Sequence, residues 1–521
     1  MSHRSIANDS GTSLSVWMST AIQPADTGLP AESTVDVCVI GAGLAGVSTA
    51  YLLCREGKRV IVLDDGPIGG GETGRTTAHL ASVQDDRFTR LERYHGTVGA
   101  RLAQESHAAA IDTIESICSR ERIACGFERV DGYLFLHKGG EVDFLKRELE
   151  AARRAGLEDA ELVPRAPLPG FDTGPALRFP RQGQLHPLLY LRGLVAATEK
   201  SAAAKVFFQA HVDSIQGDKK GGPVQVKTAD GRVVTARAVV VATNAPINSL
   251  VELPLKQAAY RSYVVALRIA KGTIPRALYW DTEDPYHYVR LQDEDATSEL
   301  LLVGGEDHRT GQDENPETRF QCLEQWTRER FPGARELVVR WSGQVMEPMD
   351  GLGYIGKSPG DGDNVYMITG DSGQGMTHGT LGAALITDLI LGRKNPFETL
   401  YEPSRRTLRA AAEFLRENAN VAVQYLDWLG GSDVHGLADI APGEGALVRK
   451  GGSFMAVYRD ESGACHARSG VCTHLGGIVT WNPVEKTWDC PCHGARYSAL
   501  GRVLNGPANT DLPVLKLEEE T

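Results

Sequence analysis

At 521 residues the chain is too long for one hydrophobic core, and domain-size statistics predict about three units. Hydrophobic content of 42% and charged content of 23% are those of an ordinary globular protein. A net charge of -12 argues against nucleic-acid or anionic-membrane partners, and no run approaches the roughly 20 apolar residues of a membrane span.

Residues 1–34 are rich in Ser, Thr, Pro and Asp and read as a tail without a core of its own. They lack a basic start, an apolar h-region and an A-x-A-like site, and the nine cysteines form no disulfide framework, so a reducing, cytoplasmic setting is expected. VDVCVI (35–40) is a short apolar run of buried-strand type. Glycines, the amphipathic LAGVSTAYLLCREG and a second apolar run, RVIVLDD, follow: strand, tight turn, helix, strand. ARLAQESHAAAIDTIESIC sets Leu102, Ile111, Ile114 and Cys118 on one helical face, and EVDFLKRELEAARRAGL is a helix stopped by Gly156. ARAVVVATNA (236–245) and NVYMITG (364–370) read as buried strands, and residues 262–344 between them alternate as antiparallel strands do. The order predicts a nucleotide-binding part at about 35–100, 180–255 and 345–403, interrupted by a substrate-facing part at about 101–179 and 256–344. Apolar residues at helical spacing (Leu408, Ala411, Leu415, Ala422, Leu426, Leu429) predict a helical connector over 404–432, and 433–521, rich in Gly and short strands, forms a separate unit.

GAGLAG supplies Gly41, Gly43 and Gly46 in G-x-G-x-x-G spacing, with Leu44 and Ala45 between the last two. The first glycine turns the chain out of the strand, the second lets backbone approach a pyrophosphate, and the third lets helix and strand pack closely. Helix amides then face the phosphates. Asp64, 18 residues after Gly46, is placed to accept ribose hydroxyls and disfavours a 2′-phosphate. This unit alone does not separate FAD from NAD.

Three later stretches resemble the FAD-dependent amine oxidoreductases of the D-amino-acid oxidase type, the glycine/sarcosine oxidase-like superfamily. GGGETGRTTAHLA (69–81), with Gly74, Arg75 and Thr76, is similar to that family's loop under the flavin. VVVATNAP (239–246), with Ala242 and Thr243, is similar to its strand and turn near the pyrophosphate. ITGDSGQGMTHGTLGAALITDLI (368–390), with Gly370, Gly373, Gly375, Met376 and Thr377, is similar to its carboxy-terminal flavin motif. The resemblance spans roughly 35–403 and implies FAD, with Gly373 and Gly375 bringing amides to the flavin O2 and N1 edge and the helix from Met376 favouring negative charge on reduced flavin. Val212 matches the position where backbone meets adenine, or is simply a strand residue. The loop lacks the Trp-His pair that tethers flavin covalently in some relatives; Arg75 stands there, so dissociable FAD is expected.

In GVCTHLGGIVTWNPVEKTWDCPCHG (470–494), Cys472 and His474 form C-x-H and Cys490 and His493 form C-x-x-H, with fifteen residues between His474 and Cys490. Structural zinc sites usually pair Cys with Cys and His with His; two loops that each offer one thiolate and one imidazole suit a Rieske [2Fe–2S] centre. CTHLGG and CPCHGARY resemble the Rieske boxes, and the resemblance implies Cys472 and Cys490 on one iron and His474 and His493 on the other. Two departures stand out. Gly477 replaces the second disulfide cysteine of respiratory-type relatives, leaving Cys492 a free thiol, and Ala495 replaces a serine that bonds a cluster sulfur, while Tyr497 keeps the neighbouring hydroxyl. Fewer hydrogen bonds to sulfur predict a potential below the respiratory range. The remaining cysteines (Cys38, Cys54, Cys118, Cys125, Cys322, Cys465) read as small buried apolar residues.

The expected fold is therefore an α/β Rossmann-like FAD-binding domain with an inserted α+β substrate domain, followed by a small all-β Rieske domain. No two-His-one-carboxylate cluster for an oxygenase iron is found; GEDHRTG (305–311) offers one His beside acids. The resemblance implies oxidation of the C–N bond of an amine or amino acid, with electrons passed to the cluster, whose histidines are expected exposed, and on to a redox protein, a quinone or oxygen. An electron-transfer protein without an organic substrate, and an oxygen-using oxidase whose Rieske domain docks a partner, are the alternatives. Candidate catalytic residues are Arg261 and Arg290, to pair with a substrate carboxylate, and Tyr263 and His287, to hold the amine; Tyr286, Tyr288, His308 and His378 are further pocket candidates.

Overall fold

The apolar run VDVCVI lies in strand Glu32–Ile40, which pairs in parallel with Val60–Leu63 on one side and Val233–Val241 on the other. Both of its faces are covered as well, Val37 and Val39 entering one core and Cys38 and Ile40 another, so the strand carries a near-continuous apolar sequence rather than an alternating one. In the computed structural model, which describes residues 10–20, 28–217, 221–248, 252–313 and 315–517, this strand is central to an eight-stranded sheet. Its order runs Tyr354–Lys357, Val365–Thr369, Val233–Val241, Glu32–Ile40, Val60–Leu63, Ala204–Phe207. Helices Leu44–Arg55 and Gly375–Ile390 pack together, and their apolar residues share one core with the strands.

A second, nine-stranded sheet is built on the long strand Gln257–Ala270, which pairs antiparallel with Ser298–Arg309 and Glu336–Pro348. Two smaller sheets form the carboxy-terminal unit: Gly445–Lys450, Ser453–Arg459 and Cys465–Ser469, then Thr480–Asn482, Thr487–Asp489, Arg496–Ser498 and Val503–Asn505. Its core gathers Phe454, Trp488 and Tyr497 around Cys472 and Cys490. No helix among the described residues is long and apolar enough to cross a membrane.

Four expectations change. Residues 10–20 are not a loose tail. Trp17 and Met18 are buried in the main core, Trp17 Nε1 donates to Thr76 O at 2.7 Å, and Ser10 and Ser13 reach the carboxy-terminal unit. One buried tryptophan contributes about 3 kcal/mol, enough to hold a polar segment that has no periodicity of its own. The expected limits near 180 and 345 cut through strands Ala176–Gln184 and Glu336–Pro348, which belong whole to the nine-stranded sheet, and helix Phe88–Glu121, cut by the limit at 100, packs on both Gly375–Ile390 and Val142–Arg154. The connector is helical over Ala411–Gln424, but Leu408, Leu415, Leu426 and Leu429 face solvent, while Val421 and Tyr425 touch the neighbouring core. Spacing identifies an apolar stripe; it does not say what covers it. Cys322 is exposed, Cys54 and Cys465 are half-buried, and the Cys118 and Cys125 sulfurs lie 3.4 Å apart.

The two large units are locked by a buried charge cluster. Glu485, in the turn before strand Thr487–Asp489, lies 3.5 Å from Arg75 Nη1 and 3.2 Å from Arg261 Nη2, and Ser13 donates to it through N and Oγ. Burial alone would raise its pKa, but Arg75, Arg261 and Arg496 outweigh burial and hold the carboxyl at about 2.

Candidate active site and metal centre

Strand Glu32–Ile40 delivers the chain to Gly41, whose φ of +103° is open to glycine. A Cβ at Gly41 would lie 2.5 Å from Ala242 O, and one at Gly46 would lie 1.9 Å from Gly41 O, so both positions need the missing side chain. Asp64 clamps the turn, accepting from Ala42 N at 2.5 Å and Gly66 N at 2.8 Å. Beside it opens a cavity of about 310 Å³.

From the first unit the cavity is lined by Gly41, Gly43, Leu44, Ala45 and Asp64, and from the following loop by Arg75 and Thr76. Val212, Ala242 and Thr243 line it from the neighbouring strands, and Gly370, Gly373, Gly375 and Met376 from the last motif. Three expected residues lie behind the wall. Gly46 and Gly74 are packing positions, a Cβ on Gly74 falling 2.2 Å from Gly69 O, and Thr377 Oγ1 is turned to His107 Nδ1 at 2.7 Å. Arg75 reaches the cavity, yet its guanidinium donates to Ser13 O, Ser342 O and the Glu485 side: it is a clasp between units.

The sequence reading missed the carboxy-terminal unit's share of this wall. Val503, Leu504, Asn505, Gly506, Ala508 and Asn509 line the cavity near Asp64 and Val212. Asn509 Nδ2 donates to Val212 O at 2.9 Å, and His211 bridges Asp65 and Asn509 O. No signal in VLNGPAN announces this; the contact is purely tertiary.

None of the four catalytic candidates lines the cavity. Arg261 is fully buried against Ser342 and Glu485, and Tyr263 bonds His308 inside the other core. His287 stacks on Trp326 at 4.4 Å with Asp281 against its Nδ1 at 3.0 Å; burial would lower its pKa, but Asp281 and Glu306 prevail and raise it to about 9. Arg290 donates to the carbonyls of Thr77, Ala78 and Leu185. His308 is likewise away from the cavity. For Arg261, Tyr263 and His287 the reason is phase: side chains alternate along a strand, so Ser262, Val264 and the two further candidates Tyr286 and Tyr288 face the cavity. Arg290 shares the phase of Tyr288 and is instead held by the carbonyls of Thr77, Ala78 and Leu185.

The electrostatics at this end are acidic. Asp85 and Asp371 line the cavity, and burial raises them to about 6 and about 7. His378 also lines it; burial lowers its pKa to about 4, keeping the ring neutral, and its Nε2 has no partner. Asn244 Nδ2 and Gln374 Oε1, both on cavity residues, are also without partners among the described residues. A glycine turn suited to phosphates, with partnerless polar atoms along the same cavity, fits a flavin nucleotide.

The metal-centre residues come together from two loops. The rings of His474 and His493 are 5.0 Å apart, and Cys472 and Cys490 are buried in one core. Both ring nitrogens of the buried His493 lack partners, and Tyr497 Oη lies 3.2 Å from Cys472 Sγ while accepting from Thr473 N. A Cβ at Gly477 would fall 2.6 Å from Cys492 Sγ, so the glycine admits that thiol. Buried thiols on facing loops, with the partnerless nitrogens of His493 beside the His474 ring, fit a mixed thiolate–imidazole cluster. Of the two histidines expected exposed, His493 is buried and His474 half-buried. The reason is docking: Gly494, next to His493, packs on Ala259, and its carbonyl accepts from Gln344 Nε2 at 2.9 Å. Gln344 also lines the cavity.

Comparison with known proteins agrees with this arrangement. The family model described as FAD dependent oxidoreductase (DAO) matches residues 36–389, and that of the Rieske [2Fe-2S] domain matches 433–516. The chain is 31% identical over 506 residues to YhfW of Bacillus subtilis, named as a Rieske 2Fe-2S iron-sulfur protein, covering 96% of this chain and 97% of that one. It is 27% identical over 406 residues to gamma-glutamylputrescine oxidoreductase of Escherichia coli, covering 74% and 92%. Among solved structures, glycine oxidase from Geobacillus kaustophilus superposes with a TM-score of 0.60 at 20% identity over 72% of this chain and 99% of its own.

Proposed function

The chain belongs to the DAO family of FAD-dependent oxidoreductases and carries a carboxy-terminal Rieske [2Fe-2S] domain, and from that membership we propose that it oxidises the C–N bond of an amine or amino acid and discharges the electrons through its own cluster. The substrate loses a hydride from carbon and a proton from nitrogen, and water hydrolyses the resulting imine to a carbonyl compound and an amine or ammonia. Bound flavin supplies the two-electron acceptor for the hydride, and the bound cluster a one-electron relay to an external acceptor. The protein's own task is to orient and desolvate the amine, which the cavity walls Ser262, Trp280, Tyr286 and Tyr288 are placed to do. The amine oxidoreductase named among the relatives supports the same chemistry.

One observation carries the electron path. Gln344 lines the cavity and donates to Gly494 O, beside His493, so one side chain touches both the flavin cavity and a ligand box. Leu475, beside His474 in the other box, is exposed, which gives electrons an exit.

The test is anaerobic mixing of the FAD- and iron-loaded protein with an amine and amino-acid panel, followed by freeze-quench EPR. Bleaching of the flavin with appearance of a reduced-cluster signal is expected. Bleaching without that signal overturns the electron path, and absence of bleaching by every compound overturns the amine chemistry. Gln344→Leu should slow cluster reduction while leaving flavin bleaching intact.

A further inference from the structure

Around the cavity end bounded by Gly370–Gly375, acidic side chains outnumber the positive ones near them, Arg87 beside Asp85 and His287 beside Asp307, and neither of those two lines the cavity. Asp85 and Asp371 line it, and Asp307 and Glu347 stand behind, close enough that Asp85 raises the pKa of Asp307, Asp371 and Glu347, and Asp371 that of Glu347. Asp307 Oδ1 is buried and without a partner. Among the described residues Arg75 is the cavity's only lysine or arginine, and its guanidinium is committed to Ser13 O, Ser342 O and Glu485. Arg261 and Arg290, the two guanidiniums that the sequence offered for a substrate carboxylate, are turned away into buried structural roles.

A substrate carboxylate placed here would meet other carboxylates, with no cation of the cavity wall other than the committed Arg75, which is costly. An ammonium would find the opposite: acids at short range, and the faces of Tyr286 and Tyr288, whose rings are 5.7 Å apart, to stack against. Gln374, nine-tenths buried at this end, adds an acceptor oxygen that has no partner among the described residues.

We infer that this end of the cavity selects a cationic amine that bears no carboxylate near the reacting carbon, an aliphatic diamine being the simplest member of the class, with Asp85 and Asp371 as its counter-charges and Tyr286 and Tyr288 as its walls. The inference rests on the amine-oxidation reading and narrows it. The reacting nitrogen sheds its proton, while the second nitrogen keeps its charge and anchors the molecule. Acids of raised pKa near neutrality serve both needs, as proton acceptors and as counter-ions.

The experiment titrates the flavin- and iron-loaded protein, without oxygen, with 1,4-diaminobutane, n-butylamine, 4-aminobutanoate and alanine, reading equilibrium binding by the shift of the flavin spectrum and oxidation by its bleaching. Diaminobutane should bind at least ~10-fold more tightly than 4-aminobutanoate, which differs in carrying a carboxylate where the diamine has its second ammonium. Asp371→Asn and Asp85→Asn should each weaken diamine binding about tenfold and leave 4-aminobutanoate unweakened. Each variant is first matched to the parent in FAD and iron content, and the two variants check one another if one fails to load. If 4-aminobutanoate or alanine binds as tightly as the diamine, or if both variants keep parental diamine affinity, the inference falls. Diamine binding without bleaching supports the cation site and overturns the oxidation; bleaching by alanine alone upholds the oxidation and overturns the cation site; no binding of any amine overturns the inference.

Discussion

The two ligand boxes of the iron–sulfur unit carry the same chemistry, one thiolate and one imidazole each, yet they occupy different surroundings. The second box is buried: Gly494 packs on Ala259, Gln344 donates to it from the cavity wall, and Pro491 O accepts from Gln312 Nε2. The first box leans on the connector, with Tyr425 Oη donating to Leu475 O at 2.8 Å and Trp428 Nε1 donating to Gly476 O at 3.0 Å, and it leaves His474 half-exposed. On the proposed electron path, one ligand box against the flavin cavity and the other toward solvent would give the cluster a direction. The inward box is fixed by buried charge, the outward box by two hydrogen bonds at the surface.

That contrast breaks most sharply at Glu485. Glu485→Ala leaves Arg75 and Arg261 buried without their counter-charge and should cost about 3–5 kcal/mol, read by chemical denaturation. A cost under 1 kcal/mol would mean that the clasp does not hold the inward box. Acid should act on the same clasp. The Glu485 carboxyl sits at about 2 in the folded protein against an ordinary 4.5, so its stabilisation is complete above about pH 4.5 and is lost as pH falls from there toward 2. Denaturation of the parent and of Glu485→Gln across that window should therefore converge at low pH.

Smaller effects sharpen the comparison. Tyr497→Phe removes a hydroxyl 3.2 Å from Cys472 Sγ; a hydrogen bond to charged sulfur worth ~1–2 kcal/mol corresponds to a midpoint about 40–90 mV lower for one electron, measurable by voltammetry. Trp428→Phe, at the outward box, should cost only about 1 kcal/mol and leave flavin-to-cluster transfer unchanged. If Trp428→Phe slows that transfer as much as Gln344→Leu does, the inward and outward assignment is wrong.

Much of this molecule can be read along the chain where function depends on neighbours in sequence. Gly41 and Gly46 are required by a turn of a few residues, and the two Cys–His boxes carry their chemistry in five or six residues each. The proposed substrate wall was legible only in part. Tyr286, Tyr288 and His378 were among the pocket candidates and line the cavity, but Arg261, Tyr263, His287 and Arg290, the chemically eloquent residues of their strands, do not, and Ser262 and Val264 carried no signal. Both faces of these strands are buried in places, so hydropathy gives no phase, and a choice by reactivity selects buried structural arginines as readily as pocket residues. The loop Val503–Asn509 and the segment Ser10–Met18 were silent because their contacts lie hundreds of residues away.

Sequence by itself determined the kinds of cofactor cradle, since glycine spacing and ligand spacing are local geometric demands that a short stretch meets or fails. Tertiary structure alone decided how the cradles face each other: which strand face lines the cavity, which histidine is covered, and which arginines are tied up across the domain contact. Those outcomes follow from packing between distant segments, where burial and charge pairing are settled by what arrives on the other side.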